Sequence, residues 1–97
     1  MAKVVVSPAA KADLVDIFLY IAQDNFAAAE RVYQKLEESF SSIARQPGIG
    51  RERNEYGPGI RILPVGNYVL YYKQAQETVS ILRVLHGARD QMKAFDG

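Results

Sequence analysis

Residues 60–73 read IRILPVGNYVLYYK, two apolar, strand-like runs broken by Gly66-Asn67. A two-residue break of that kind predicts a tight hairpin, and a tight hairpin fixes register. Val65 then pairs with Tyr68, Leu63 with Leu70 and Arg61 with Tyr72. The strand-like run Thr78–His86 follows after Gln74–Glu77, which reads as a second turn. Pairing Lys73 with Thr78 sets Tyr72 opposite Val79, Leu70 opposite Ile81 and Tyr68 opposite Arg83. One face of the sheet then shows Arg61, Leu63, Val65, Tyr68, Leu70, Tyr72, Val79, Ile81 and Arg83. The other shows Ile60, Ile62, Val69, Tyr71, Leu82 and Val84, with His86 just beyond, and is the expected core face. The first mixes arginine and tyrosine with aliphatics, as interfaces do, and the same pairing suits a nucleic acid.

Outward from the hairpin the chain continues in helical periods. Lys3–Val6 is short and β-branched and predicts a first strand, and Ser7-Pro8 supplies an N-cap and a first-turn proline. Leu14, Ile17, Phe18 and Ile21 form one apolar stripe, with Val15, Leu19 and Ala22 beside it. That arc is wider than a single contact needs, so it touches two elements or is covered by a partner. Asp24-Asn25 caps a second helix that carries Ala29, Val32, Tyr33, Leu36, Phe40 and Ile43 at helical spacing. Arg45 suits its last turn and Pro47-Gly48 stops it. Residues 47–59 form a long loop punctuated by glycine and proline. The predicted order is β-α-α-β-β-β. This is an α+β fold in which a helical hairpin packs on a largely antiparallel twisted sheet, one domain over residues 1–97.

Composition narrows the chemistry. There is no cysteine, which removes disulfides and thiolate chemistry. No apolar stretch approaches a membrane span, so the expectation is a soluble cytoplasmic protein with no membrane partner. Residues 1–44 carry six acids and four bases, whereas residues 45–97 carry eight bases and five acids. The second half is therefore mildly basic. One histidine and scattered carboxylates give no metal-ligand spacing, and Gly48-Ile49-Gly50 lacks the setting of a phosphate loop, so neither metal nor cofactor is expected. The one plausible reaction is metal-free RNA cleavage, with Glu52, Glu55, Arg61, Arg83 and His86 as acid, base and phosphate-holding groups. A lone histidine at a strand end is more often structural.

The segments SPAAKADLVDIFLYIAQDN, AAERVYQKLEESF, QPGIGRERNEYGPGIRILPVGNYVLYYK and ILRVLHGARD, in this order, resemble the RelE/ParE toxins of type II toxin–antitoxin systems, and most closely the ParE branch. The resemblance spans nearly the whole chain. It implies a toxin neutralised by a small ParD-like antitoxin, with operator DNA bound only indirectly, through that antitoxin. ParE-like toxins poison DNA gyrase and block replication without catalysis, while RelE-like toxins cut mRNA on the ribosome. No tyrosine follows Tyr72 and the loop has arginines but no lysine, which departs from the ribonuclease pattern. The gyrase reading is therefore preferred, with the ribosome-dependent endoribonuclease as the alternative. A degenerate toxin that only binds its antitoxin is a third possibility. Arg61, Arg83, His86 and Arg89 are the expected target-binding residues, the first three becoming catalytic if the chain is a ribonuclease. Leu14, Phe18, Leu19, Tyr68 and Tyr72 are the expected antitoxin contacts.

Overall fold

The computed structural model describes residues 1–87. Strand β1 (Lys3–Val6) leads into helix α1 (Pro8–Ala22), which a three-residue turn joins to helix α2 (Phe26–Arg45). Strands β2 (Arg51–Glu52), β3 (Ile60–Val65), β4 (Tyr68–Ala75) and β5 (Thr78–His86) complete one sheet of order β1-β5-β4-β3-β2. All neighbours are antiparallel except β1 and β5. The caps fall where the sequence placed them. Ser7 Oγ accepts the Ala10 N–H, Asn25 Oδ1 accepts the Ala28 N–H, and Pro8 opens α1.

The first hairpin has the predicted register, Val65 with Tyr68 through Arg61 with Tyr72. Gly66 sits at φ 60°, which suits the first position of the two-residue turn. The second hairpin differs. β4 runs on to Ala75, which pairs with Thr78, so the turn is Gln76-Glu77 and the pairing moves by two residues. A shift of two keeps Val79 and Ile81 on their expected face. Between Tyr72↔Ile81 and Tyr71↔Arg83 the register then slips by one, leaving Leu82 as the extra residue of a bulge. From there Arg83 pairs with Tyr71 and His86 with Tyr68, not Arg83 with Tyr68 as predicted.

The expected core face is corrected outright. The helices cover the other side of the sheet, where Leu70, Tyr72, Val79, Ile81 and Val84 pack with Leu14, Leu36 and Ile43. Tyr72 and Leu70 are fully buried, so the supposed Arg/Tyr binding face is the main core. The physical reason lies in the polar tips. The Tyr72 hydroxyl accepts the Gly50 N–H and donates to the Pro47 carbonyl, each at 2.7 Å, so the ring is buried with its oxygen satisfied. Arg61 Nη1 donates to the Gly50 carbonyl at 2.8 Å. On the opposite face Ile60, Ile62, Tyr71 and Leu85 form a smaller cluster, closed by Tyr56 standing edge-on to Tyr71.

The region 47–59 is less irregular than its composition suggests. It holds 3-10 turns at Pro47–Ile49 and Asn54–Tyr56 with β2 between them. Gly50 is required there, because a Cβ would meet the Tyr72 hydroxyl at 2.5 Å and the Ile62 carbonyl at 2.8 Å.

Tyr72→Phe leaves the Gly50 N–H and the Pro47 carbonyl without their partner, an expected loss of about 1–3 kcal/mol. Each kcal/mol corresponds to a melting-temperature fall of about 4–8 °C in a domain of this size; an unchanged melting temperature would sink the account. Burial also raises the Tyr72 pKa, against smaller lowering contributions from the Gly50 N–H and Arg61. The unfolded chain therefore loses this proton first, from about pH 10, and the stability this group lends is present below that pH and lost as pH rises toward the folded pKa. The alkaline fall in stability becomes shallower in Tyr72→Phe.

Candidate functional site

Between α1 and α2 lies a groove of about 530 Å³, lined by Val6, Lys11, Leu14, Val15, Phe18, Leu19, Tyr33, Glu37 and Phe40. Its origin lies in the wide apolar arc of α1. Ala10 and Leu14 turn into the core, whereas Val15 and Leu19 on the flank are each 56% exposed. Phe18 forms the aromatic end of the trench, edge-on to Phe26 at 5.6 Å and to Tyr33 at 6.2 Å. Leu14, Phe18 and Leu19 thus lie together in one concavity. Tyr68 does not line it; this ring is half-buried against the core and edge-on to His86 at 5.7 Å. Tyr72 is buried and presents no surface, which corrects its assignment as a contact residue.

The expected basic cluster is dispersed. Arg83 makes a bidentate pair with Asp13 on α1, Nε to Oδ2 at 2.7 Å and Nη2 to Oδ1 at 2.9 Å. The same carboxylate accepts the Val84 N–H at 2.9 Å. Arg61 lies on β3 with all of β4 between it and β5, and its guanidinium is turned to the Gly50 carbonyl and, at 4.0 Å, to Glu52. His86 is three residues beyond Arg83 along β5, roughly 10 Å away at strand rise. Arg89 lies outside the described residues. Among the described residues no cluster of histidines and carboxylates could hold a metal ion, and no helix is long and apolar enough to cross a membrane.

The loop acids are likewise engaged with their surroundings. Glu55 has its pKa lowered, first by its own backbone N–H and then by Arg53, whose Nε lies 2.8 Å from its carboxylate. The Arg53 guanidinium also stands over the Tyr56 ring at 5.3 Å. Neither Glu52 nor Glu55 is brought to Arg83 or His86 by a described contact; Glu52 instead accepts from Asn54. Sequence reasoning missed Asp13, whose signal was an acid bordering the apolar arc of α1, one turn before Ile17. It placed Tyr33 and Phe40 at helical spacing without assigning them to the groove, because that period does not distinguish the centre of an apolar stripe from its rim.

The chain matches the family model described as "ParE toxin of type II toxin-antitoxin system, parDE" over residues 4–91. It is 36% identical over 87 residues to Toxin ParE1 of Mycobacterium tuberculosis, covering 87% of this chain and 88% of that protein. It is also 36% identical over 89 residues to Toxin RelE2 of Caulobacter vibrioides, covering 92% and 99%. In fold it resembles the solved chromosomal ParDE toxin–antitoxin system from P. aeruginosa, with a TM-score of 0.74 at 21% identity over 89% of this chain and 96% of that one. A helical hairpin on a five-stranded sheet, matched along nearly its whole length, places this chain in the ParE toxin family of type II toxin–antitoxin systems.

Proposed function

We propose that this toxin acts by binding rather than by catalysis, poisoning DNA gyrase and blocking replication, and that a ParD-like antitoxin neutralises it by laying a helix in the α1/α2 groove. The observation that carries the non-catalytic reading is the dispersal of Arg61, Arg83 and His86. Of the three groups that would hold a scissile phosphate, the two arginines are turned to Gly50 and Asp13, and a strand separates them. General acid–base catalysis needs its groups within hydrogen-bond reach of the same reacting atoms. The family likeness supports the gyrase target, and no residue is assigned to that contact beyond the earlier candidates Arg61, Arg83, His86 and Arg89.

The build of the groove suits a helix. Its walls are chiefly two α-helices, whose backbone groups are already bonded along their own axes. An extended segment buried there would leave its N–H and C=O groups unmatched, whereas a helix satisfies its own. From Lys11 to Leu19 the trench runs roughly 12 Å at helical rise, the length of two turns, which accepts anchors at i, i+3 or i+4, and i+7. Leu14, Phe18 and Leu19 are the contacts this places on the toxin side.

Purified toxin added to gyrase, ATP and relaxed plasmid is expected to reduce supercoiling and accumulate cleaved DNA, with reversal by the antitoxin. Intact gyrase activity alongside cleavage of mRNA on translating ribosomes would instead establish the RelE-like alternative. Operator binding is expected only when antitoxin is present. Leu19→Glu puts a charge at an exposed apolar anchor, so the antitoxin complex should weaken by about 2 kcal/mol or more, roughly thirtyfold in Kd. Cells should then die despite antitoxin, while a variant still fully rescued would remove the groove from the interface. Arg83→Ala leaves the Asp13 carboxylate with the Val84 N–H but without its cation and is expected to lower stability by about 1–3 kcal/mol, yet the folded fraction should still poison gyrase. Loss of toxicity well beyond loss of fold would return Arg83 to an active role.

A further inference from the structure

The α1/α2 groove is apolar along most of its length and charged at one end. Among the described residues that line it, Lys11 on α1 and Glu37 on α2 carry the charges. They are equally far along the chain from Asp24 in the turn between the helices. In an antiparallel hairpin that places them opposite each other, at the mouth remote from the turn. The turn end is walled by Phe18, Leu19 and Tyr33. Both charged residues are exposed. The ion pairs of the described residues are Arg53 with Glu55, Arg61 with Glu52 and Arg83 with Asp13, so Lys11 and Glu37 do not bridge the trench to each other. The trench is therefore flanked at one end by a cation on one wall and an anion on the other.

We propose that Lys11 and Glu37 are specificity-determining residues that select the direction and rotation of the helix lying in the groove; this rests on the reading above that the groove takes an antitoxin helix. The partner they select carries an acid on the flank facing α1 and a base on the flank facing α2, both at the end remote from the α1–α2 turn. Apolar anchors alone discriminate poorly here, because a ridge of side chains at i, i+3 or i+4, and i+7 looks much the same from either end. The charges remove that ambiguity. A helix inserted end for end carries its acid and base against Phe18 and Tyr33. A helix with its flanks exchanged sets acid against Glu37 and base against Lys11. Both errors are rejected by repulsion or by stranded charge rather than by any loss of apolar contact.

The test uses two fluorescein-labelled helical peptides of about four turns with the same leucine ridge. One has Glu and Lys on the predicted flanks at one end, and the other has them exchanged. Fluorescence anisotropy with the full chain is expected to show the first peptide binding about tenfold tighter. That preference should shrink in about 1 M salt and invert in the Lys11→Glu, Glu37→Lys double variant, whose changes are at exposed positions and leave the fold intact. Equal binding of the two peptides to the unaltered toxin overturns charge selection. If that equal binding is abolished by Leu19→Glu, the groove reading itself survives. Binding of neither peptide to the unaltered toxin overturns both.

Discussion

The fold depends on how Tyr72 is buried. β4 is the middle strand of the sheet, and Leu70, Tyr71 and Tyr72 are all fully buried on it, two facing the helices and one facing away. A tyrosine can occupy the helix-covered core only if its hydroxyl is matched, since an unmatched one costs about 1–3 kcal/mol. Gly50 and Pro47 provide that match, and in doing so bind the region after α2 to the centre of the sheet. The Gly50 carbonyl then receives Arg61, and Arg51 and Glu52 pair with β3 as the short edge strand β2. One hydroxyl thus links the end of α2 and the edge of the sheet, next to the glycine carbonyl that receives Arg61.

The other edge is closed by a different device. β1 pairs only with Thr78 to Ile81, so β5 outruns its neighbour by half its length. Ser7 continues the pairing for one more step, through its N–H to the Ile81 carbonyl and its hydroxyl to the Leu82 carbonyl. Beyond it the Asp13 carboxylate takes the Val84 N–H, as a strand would, and holds Arg83 with the same two oxygens. An open edge invites pairing with another chain. Here a helix side chain occupies it, and the Leu82 bulge supplies the local bend that turns Arg83 toward that carboxylate.

Element order apart from β2, the two N-caps, the helix stop and the first hairpin register were legible in the sequence, because each is set by residues within a few positions of one another. Ser7 and Asn25 cap by their own side chains, and Gly66 supplies its own backbone freedom. The side of the sheet that the helices cover was not legible, because both faces of β3 and β4 are apolar and the choice turns on a hydroxyl meeting a glycine twenty-two positions away. The Leu82 bulge was equally hidden, since no glycine or proline marks it. Its consequence reached the site: the parity that seemed to align Arg83 with Arg61 and Tyr68 fails one residue before Arg83. Leu14, Phe18 and Leu19 share a groove because they were read from local helical period, whereas Arg61 and His86 were read from long-range register and do not converge.

The same contrast bears on how a toxin of this kind can be held silent. The groove lies between two helices whose backbones are hydrogen-bonded along their own axes, apart from the ladder of the sheet. On the proposed reading, an antitoxin that binds the folded chain alone stabilises it by mass action, in proportion to the logarithm of its concentration over Kd. Neutralisation would then be governed by the occupancy of a preformed trench, and release of the toxin by whatever removes the occupant. Arg61, Arg83 and His86 lie on the sheet, apart from the trench lining. On that reading silencing can be tuned on α1 and α2 without altering Arg61, Arg83 or His86, except through Asp13, where α1 and the edge of β5 share one carboxylate.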